Sequence, residues 1–312
     1  MKVSEYFEEW LADQRVDFQK STYESCTVYF RKHIIPWFEE HQNTLERLTP
    51  RDIKDYVNYK LTGGRLDGKE GGLSKASVSK HLHLIKQALN DAVIMDYIPK
   101  SPAQYIKLKR SKNTVTRGAV MLTTEQAQKV INAFKGHYLY ELVVVAFYYG
   151  LRRSEVLGLR WSAIDFENNT LTINHTVVKS LTIEAKDSTK TEGSNATYDL
   201  LPNVKEVLLR LRERKPPTSD YIFSHDDGTV LRPDSVTKAF SRVLKNNNLE
   251  HMRFHDIRHS TASLLFDMGM SLEDVKQWLR HSDIETTSNI YLHYTRTRKK
   301  ITAAQVNDLF AV

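Results

Sequence analysis

The residues of this sequence best suited to chemistry are arginines, histidines and a tyrosine that together could handle a phosphate group. His255 and Arg258 stand three positions apart, so on a helix both side chains can reach the same small anion. Arg152 follows shortly after Gly150, where an apolar run ends. A guanidinium fork meets two phosphate oxygens at once, which a lysine ammonium does not. Tyr291 adds a hydroxyl that such a cationic cluster would activate by favouring its phenolate form.

The same side chains also have structural interpretations, and their spacing alone leaves both open. Arg152 stands three residues before Glu155, and an ion pair between them would tie two helices together. That pair would also hold the guanidinium still, so the two interpretations are compatible. A tyrosine in an apolar segment is more often a core residue with a hydrogen-bonded hydroxyl, and we interpret Tyr294 in that way. His259 is interpreted as a structural, hydrogen-bonding histidine.

The histidines raise the question of a metal site. His255 and His259 have the i, i+4 spacing of metal ligands, and His281 and His293 follow downstream. The His-Glu-x-x-His arrangement of helical zinc sites is absent, and nearby arginines would repel a cation. We therefore predict no metal ligands in this set.

Taken in chain order, these residues resemble the signature of the tyrosine recombinase family, the phage-integrase-like enzymes that cut and rejoin DNA through a phosphotyrosine. The matching motifs are Gly-Leu-Arg at 150–152, His-x-x-Arg at 255–258, Leu-Arg-His at 279–281 and the tyrosine within 289–293, and the resemblance spans the chain from about Met1 to its C-terminus. It implies six catalytic residues: Arg152, Lys190, His255, Arg258, His281 and Tyr291. Lys190 best matches the family's hairpin lysine, the general acid toward the departing 5′ oxygen, with Lys186 a near competitor.

The resemblance implies a site-specific DNA recombinase or integrase that works through a 3′-phosphotyrosyl intermediate, in the integration and excision of a mobile element. The phosphotyrosine retains the energy of the broken phosphodiester, so no metal, cofactor or ATP is implied. The implied partners are double-stranded DNA with specific recombination sites, a homotetramer on that DNA and an accessory directionality factor. Two alternatives stay open. A type IB topoisomerase-like enzyme would relax plasmid without paired sites, and a non-catalytic DNA-binding protein would bind without cutting.

The composition favours an intracellular protein with a polyanionic partner. Its 312 residues are enough for two domains. Hydrophobic residues make up 40% of the chain, but no run of them is long enough to span a bilayer, and we find no signal-peptide pattern. Cys26 is the only cysteine, which excludes an internal disulfide framework. The net charge of +7 favours binding to nucleic acid. We expect a soluble protein in the bacterial cytoplasm, associated with the nucleoid and without a membrane partner.

Local signals predict where several helices begin and end. A helical run is predicted from about residue 21 to residue 40, and Pro36 is expected to bend or divide it. Thr49 is predicted to cap a helix that begins at Pro50, and Thr123 and Ser271 have capping-box spacing. A further helix is predicted over 233–246.

Helices dominate the predicted fold, which is mainly α with a small antiparallel β-sheet. Residues 1–106 are predicted as a helical, SAM-like core-binding domain of four helices, and residues 121–312 as a mixed α/β catalytic domain with a tail helix. Residues 107–120 between them are predicted as a basic linker, since they have little to bury. Strands are predicted over 164–166, 170–177, 182–185 and 195–200, with Lys190 near the tip between the last two.

A long helix predicted from residue 74 to about residue 96 has apolar residues on one face and basic residues on the other. From the residues alone, an ordinary solvated surface is as good an interpretation of that basic face as DNA binding, and the resemblance favours DNA. The candidates for phosphate or major-groove contacts are Ser74, Lys75, Ser77, Lys80 and His81 on this helix, and Lys109, Arg110 and Lys112 in the linker.

The last twelve residues carry an apolar stripe at helical spacing, formed by Ile301, Val306, Leu309 and Phe310. This stripe can fold back on its own domain. The resemblance implies the alternative, in which a C-terminal helix docks on a neighbouring protomer and couples cleavage to assembly. Both arrangements bury the same stripe, and the sequence leaves the choice open.

Overall fold

The computed structural model describes residues 1–108, 120–179, 183–186, 196–215 and 217–280, and beyond them residues 288, 291, 292 and 295. The chain divides into two compact units, Met1–Val115 and Thr116–Val312. The described part of the first unit is helical, and the second combines helices with short antiparallel strands. The predicted fold class is therefore confirmed.

The described residues of the first unit form five α-helices around one apolar core. They are α1 (Val3–Asp17), α2 (Lys20–Tyr29), α3 (Ile35–Glu40), α4 (Pro50–Thr62) and α5 (Lys75–Ile94). Val3, Phe7 and Leu11 of α1 are fully buried, as their helical spacing predicts. These are one more than the four helices predicted, because the run expected from about residue 21 to residue 40 is divided in two, as Pro36 led us to expect.

The division lies just before Pro36. A π-helical turn, Phe30–Ile34, separates α2 from α3, and Pro36 stands in the first turn of α3. Proline lacks the N–H that continues the helical ladder, and its ring collides with a carbonyl of the preceding turn. The wider π turn accommodates this interruption without ending the helical path.

Side-chain caps begin α4 and α5. The Thr49 hydroxyl accepts a hydrogen bond from the Asp52 N–H (3.3 Å), and the Asp52 carboxylate accepts one from the Thr49 N–H (2.8 Å). This capping box, with Pro50 as the first helical residue, confirms the start predicted for α4. Ser74 caps α5 by accepting a hydrogen bond from the Ser77 N–H (3.1 Å), so its hydroxyl has a structural role.

The structure contradicts the prediction that His81 contacts DNA. Its side chain is only 1% exposed and is hydrogen bonded through Nδ1 to the Tyr56 hydroxyl (2.8 Å). The physical reason is helical phase. His81 lies three residues after Val78 and four before Ile85, and both are fully buried, so His81 belongs to the apolar face of α5.

Acid is expected to destabilise the first unit through His81. Burial, followed by the charges of His33 and Lys60, lowers the pKa of His81 to about 4, below the 6.5 of an unfolded chain. The unfolded chain therefore binds the proton first, and stability present above about pH 6.5 is lost as the pH falls toward 4. Because one pKa unit is worth about 1.4 kcal/mol, protonating His81 costs the folded state on the order of 3 kcal/mol.

Hydrogen exchange of α5 peptides in the full chain would measure this loss between pH 7.5 and pH 5, after correction for the intrinsic exchange rates. His81→Gln is the matched variant, and we expect its protection to depend less steeply on pH. Equal pH dependence in the two proteins would contradict this account of His81.

The described part of the second unit contains seven α-helices: α6 (Thr124–Ala133), α7 (Tyr140–Tyr149), α8 (Arg153–Leu157), α9 (Pro202–Arg214), α10 (Pro233–Asn246), α11 (Asp256–Asp267) and α12 (Leu272–Leu279). The predicted capping boxes at Thr123 and Ser271 are both present. Helix α7 is buried nearly all round and packs against α9 and α11. It forms the centre of the core on which the other helices are arranged.

The described strands form two antiparallel ladders. One has the order β1-β2-β5 and the other pairs β3 with β4. The strands are β1 (Ile164–Asp165), β2 (Thr170–Ile173), β3 (Thr176–Lys179), β4 (Ile183–Lys186) and β5 (Ala196–Asp199). The single strand predicted over 170–177 is thus two strands. They separate beside His175, whose buried ring is hydrogen bonded through Nε2 to the Tyr221 hydroxyl (3.0 Å).

Candidate functional site

The end of α7 meets the end of α12 at Gly150. This glycine ends α7 with a left-handed backbone conformation (φ +60°). A Cβ atom added to it would lie 2.2 Å from Cδ2 of Leu279, the last residue of α12. The chain therefore turns toward Arg152 at a point where only glycine fits, and α12 packs directly on that point.

Replacing Gly150 by alanine is expected to destabilise the second unit strongly. The left-handed backbone costs a non-glycine residue about 1–2 kcal/mol. Overpacking against Leu279 adds about 1–3 kcal/mol. Gly269→Ala is the matched control, because Gly269 also has positive φ (+88°) but has nothing within 4 Å of an added Cβ. Urea denaturation of both variants would separate the two costs, and equal destabilisation would show that Leu279 does not constrain Gly150.

Arg152 immediately precedes α8 and is held by Glu155 in the first turn of that helix. The Arg152 Nη1 atom donates to Glu155 Oε1 (2.7 Å), and the Arg152 backbone N–H donates to Oε2 (2.8 Å). The Arg152 side chain is 34% exposed, whereas that of Glu155 is only 3% exposed. The structural ion pair expected from the spacing is therefore present, and it orients an arginine that keeps an accessible face.

Arg258 is the largest of the fully buried side chains among the described residues, and it joins the ends of α7 and α12. Its Nη1 atom donates to the carbonyl oxygen of Gly150 (2.8 Å), and its Nη2 atom donates to that of Leu279. Burial, followed by the positive charge of Arg152, lowers the pKa of Arg258 to about 9, so the guanidinium stays charged at neutral pH. Two cations so close together repel each other, and an anion bound beside them would reduce that repulsion.

A third arginine, Arg280, completes the buried network. Its Nη2 atom donates to Glu155 Oε2 (2.8 Å). Burial alone would raise the pKa of Glu155, but the charges of Arg280, Arg152 and Arg258 outweigh burial and hold that pKa below its usual range. Three guanidinium groups around one carboxylate leave an excess of two positive charges, which is the electrostatic requirement for a phosphate site.

His255 immediately precedes α11, and it is partly exposed although neighbouring groups surround much of its ring. Loss of solvation around its ring, followed by the charges of His259, Arg258 and Arg152, lowers the pKa of His255 to about 4. His255 is therefore within electrostatic reach of both arginines and is neutral at neutral pH. A neutral imidazole can accept a hydrogen bond or a proton. The structure thus brings together three of the predicted site residues: Arg152, His255 and Arg258.

Tyr291 contacts the same helix near its other end. The tyrosine is 42% exposed, and its ring lies 5.2 Å from the ring of Phe266, at an interplanar angle of 68°. Phe266 stands eight residues after Arg258 in α11, which at about 1.5 Å per residue corresponds to roughly 12 Å along the helix axis. The described contact of Tyr291 is therefore made two turns away from the arginine cluster.

The rings of His255 and His259 meet edge to face at 4.9 Å, and Nδ1 of His259 is buried with no hydrogen-bond partner among the described atoms. Among the residues that the structure describes, no three His, Cys, Asp or Glu side chains are grouped as metal ligands.

Several predicted residues lie outside the described ranges. They are Lys190, His281, Lys109, Arg110 and Lys112, as well as the C-terminal stripe from Ile301 to Phe310. The site residue that the sequence analysis missed is Arg280. No local pattern marks it, because its partner Glu155 is 125 positions away in the chain.

The predicted DNA-contact residues of α5 other than His81 are accessible. Lys75 and Lys80 are exposed, and Ser74 and Ser77 lie at the start of the helix. Lys80 also lines an open groove of about 600 Å³ between α2 and α5, together with Ser21, Thr22, Ser25, Cys26, Tyr29, Ser79, His83 and Leu84. The hydroxyl-bearing residues of α2 in this groove were not singled out from the sequence.

Family models match both units. The Phage integrase family matches residues 120–298, and the Phage integrase N-terminal SAM-like domain matches residues 2–61. A tyrosine recombinase XerC-like protein of Caldanaerobacter subterraneus subsp. tengcongensis is 29% identical over 264 residues, which cover 77% of this chain and 68% of the relative. The ICEBs1 integrase of Bacillus subtilis is 25% identical over 319 residues, which cover 96% of this chain and 81% of the relative.

Solved structures share the fold at lower identity. A Tn1549 transposon integrase in complex with transposon right end DNA matches with a TM-score of 0.77 and 19% identity, covering 97% of this chain and all of that one. A lambda integrase tetramer bound to a Holliday junction matches with a TM-score of 0.71 and 17% identity, covering 93% and 77% of the two chains. In the described part of this chain, every helix is too short or too polar to cross a membrane.

Proposed function

The chain belongs to the phage integrase family of tyrosine recombinases, and from this premise we propose how its site cuts and rejoins DNA. The enzyme is a site-specific recombinase that works through a 3′-phosphotyrosyl intermediate, for the integration and excision of a mobile element. The observation that carries the proposed site is the cluster of Arg152 and Arg258 around buried Glu155, next to a neutral His255.

In this proposal, the two arginines bind the scissile phosphate. Arg152 offers its accessible face, and Arg258 supplies a buried positive charge beside it. Negative charge builds on the non-bridging oxygens as the phosphorus is attacked, and a preorganised pair of guanidinium groups stabilises that charge. Because Arg258 is buried and Arg152 is held by buried Glu155, little reorganisation of either group is needed during the reaction.

Tyr291 is proposed as the nucleophile. Its hydroxyl oxygen bonds to phosphorus, the bond from phosphorus to the 5′ oxygen breaks, and a 5′-hydroxyl strand leaves. In the described structure Tyr291 packs against Phe266, so the attack requires Tyr291 to move from Phe266 to the phosphate. There His255, neutral at neutral pH, can take the phenolic proton. The resemblance supports Lys190 as the donor of a proton to the leaving oxygen and His281 as a further phosphate ligand. A 5′-hydroxyl from another strand then reverses the step and releases Tyr291, so no ATP is consumed.

We further propose that residues 1–106 form the core-site-binding domain and residues 121–312 the catalytic domain, joined by the basic segment 107–120. Ser74, Lys75, Ser77 and Lys80 are proposed DNA contacts, together with Lys109, Arg110 and Lys112. The tetrameric state of the lambda integrase structure supports a homotetramer on DNA for this chain. An accessory directionality factor and a place at the bacterial nucleoid complete the proposal, since excision must be controlled on chromosomal DNA.

Covalent trapping tests the proposed chemistry. A duplex nicked close to the cleavage site loses the 5′-hydroxyl fragment by diffusion, so the phosphotyrosyl adduct accumulates and is visible on a denaturing gel. We expect an adduct with the ends of the mobile element and none with a scrambled duplex. An adduct on both duplexes, with relaxation of plasmid that lacks paired sites, would indicate a topoisomerase. Binding without an adduct on the element's own ends would indicate a non-catalytic protein.

A further inference from the structure

We propose that Arg280 is a positioning residue for Arg152. By occupying one oxygen of Glu155, Arg280 prevents Arg152 from closing completely on that carboxylate and leaves its guanidinium available to the DNA phosphate. The inference rests on the proposed function, because it assigns a purpose to the accessible face of Arg152.

The backbone conformation of Arg280 does not by itself favour an arginine. Arg280 immediately follows α12 and has the left-handed conformation, with φ +54°. That conformation suits glycine, and an arginine there adds steric repulsion around its Cβ atom. The turn itself therefore gives no reason for arginine at this position.

The surroundings of Arg280 supply that reason. The side chain is 4% exposed and its Nη2 atom donates to Glu155 Oε2 (2.8 Å). Its guanidinium carbon also lies 5.6 Å from the centre of the Tyr198 ring, a cation–π contact. The Tyr198 hydroxyl donates to the carbonyl oxygen of Trp278 in α12. The buried charge is thus held by a carboxylate from α8 and an aromatic face from β5.

The two oxygens of Glu155 are shared in a defined way. Oε1 accepts from Arg152 Nη1 (2.7 Å), whereas Oε2 accepts from the Arg152 backbone N–H (2.8 Å) and from Arg280 Nη2 (2.8 Å). The Arg152 guanidinium consequently meets Glu155 through one arm. Without Arg280, Oε2 would be open to a second arm of Arg152, and an arginine and a carboxylate favour that two-bond arrangement. Arg152 would then turn its donors toward Glu155 and away from the phosphate.

The positive charge of Arg280 also favours phosphate binding. With Arg280 present, the three arginines outnumber Glu155 by two positive charges, and without it the excess falls to one. The positive potential at the phosphate would fall at the same time as Arg152 is withdrawn. Both effects lower the rate of the chemical step, while the affinity for DNA, which depends on many phosphate contacts elsewhere, should change little.

Single-turnover cleavage of the nicked duplex tests the proposal. For Arg280→Met we expect the rate constant of adduct formation to fall about tenfold to a hundredfold. The final yield of adduct and the affinity for DNA should stay close to those of wild type. Arg280→Lys keeps the charge and should recover part of the rate. Arg210→Met is the matched control, because Arg210 is an exposed arginine that pairs with Glu206 on the surface of the same unit.

Two further variants distinguish a role of Arg280 in positioning Arg152 from a role in the left-handed backbone turn alone. Arg280→Gly relaxes the left-handed backbone but removes the ion pair, so it should cleave as slowly as Arg280→Met. Adding Glu155→Gln to Arg280→Met should recover part of the rate, because the neutral amide no longer attracts Arg152. Wild-type rate constants in Arg280→Gly, or a lower adduct yield at an unchanged rate constant, would overturn the proposal, since either result describes a merely structural residue.

A binding measurement distinguishes failure of this inference from failure of the proposed function. Inorganic vanadate, a phosphate analogue, can be titrated into the full chain without DNA. We expect Arg280→Met to weaken vanadate binding and Arg210→Met to leave it unchanged, whether or not the wild type forms an adduct. A wild type that forms no adduct would count against the proposed function. Equal vanadate affinity of wild type and Arg280→Met would overturn the role of Arg280.

Discussion

Replacing Tyr291 by phenylalanine should abolish the covalent protein–DNA adduct while leaving the fold and DNA binding intact. Phenylalanine lacks only the hydroxyl, and the described packing of Tyr291 is made by its ring against Phe266. The tyrosine is also 42% exposed, so removing its hydroxyl changes little buried packing. The expected loss is complete, because the oxygen that bonds to phosphorus is absent.

Denaturing gels with nicked duplexes would show the loss, and gel-shift titrations of the same protein would show that DNA is still bound. Tyr294→Phe is the matched control, as it changes a neighbouring tyrosine that we interpret as structural. An adduct that persists in Tyr291→Phe and disappears in Tyr294→Phe would assign the nucleophile to Tyr294. Loss of adduct together with loss of DNA binding would instead indicate damage to the fold.

Replacing Arg258 is expected to have the largest combined effect on catalysis and stability. Lysine keeps a positive charge but has a single ammonium group, which cannot span the two carbonyl oxygens that the guanidinium joins. Each buried carbonyl left without a partner costs about 1–3 kcal/mol. Loss of one preorganised donor to the transition state costs about a hundredfold to a thousandfold in rate.

We therefore expect Arg258→Lys to be folded but less stable, and to cleave at least about a hundredfold more slowly. Arg258→Leu, which also removes the charge, should be worse in both respects. Urea denaturation would measure the free energy of unfolding, and single-turnover cleavage would measure the rate constant. Arg210→Lys is the surface control. Rapid cleavage by Arg258→Lys would show that charge at this position is sufficient, and would contradict the role given to the guanidinium geometry.

Local signals account for the parts of the fold that were predicted correctly. The capping residues Thr49, Thr123 and Ser271 each begin a helix at the expected place. The helix predicted over 233–246 has those same bounds. These features depend on contacts between residues three or four positions apart, which a sequence displays directly.

Two predictions were wrong, and in each the chemical type of a residue and the backbone geometry indicated different environments. His81 was assigned to the basic face of α5 by its residue type, whereas its helical phase with Val78 and Ile85 places it in the core. The strand predicted over 170–177 follows an alternating pattern that continues through His175, although the hydrogen-bonded ladder does not. In both cases side-chain chemistry suggested one environment and backbone geometry decided another.

For the site, the sequence by itself determined which residues are proposed, namely Arg152, His255, Arg258 and Tyr291, because chemical types at set spacings are visible without a structure. Only the tertiary structure decided how they are held. Arg258 binds the carbonyl oxygens of Gly150 and Leu279, and Arg280 shares Glu155 with Arg152. Those partners are up to 125 positions apart in the chain. They meet because α7, α8, α11 and α12 pack on one core, and packing over such distances leaves no periodic trace in the sequence.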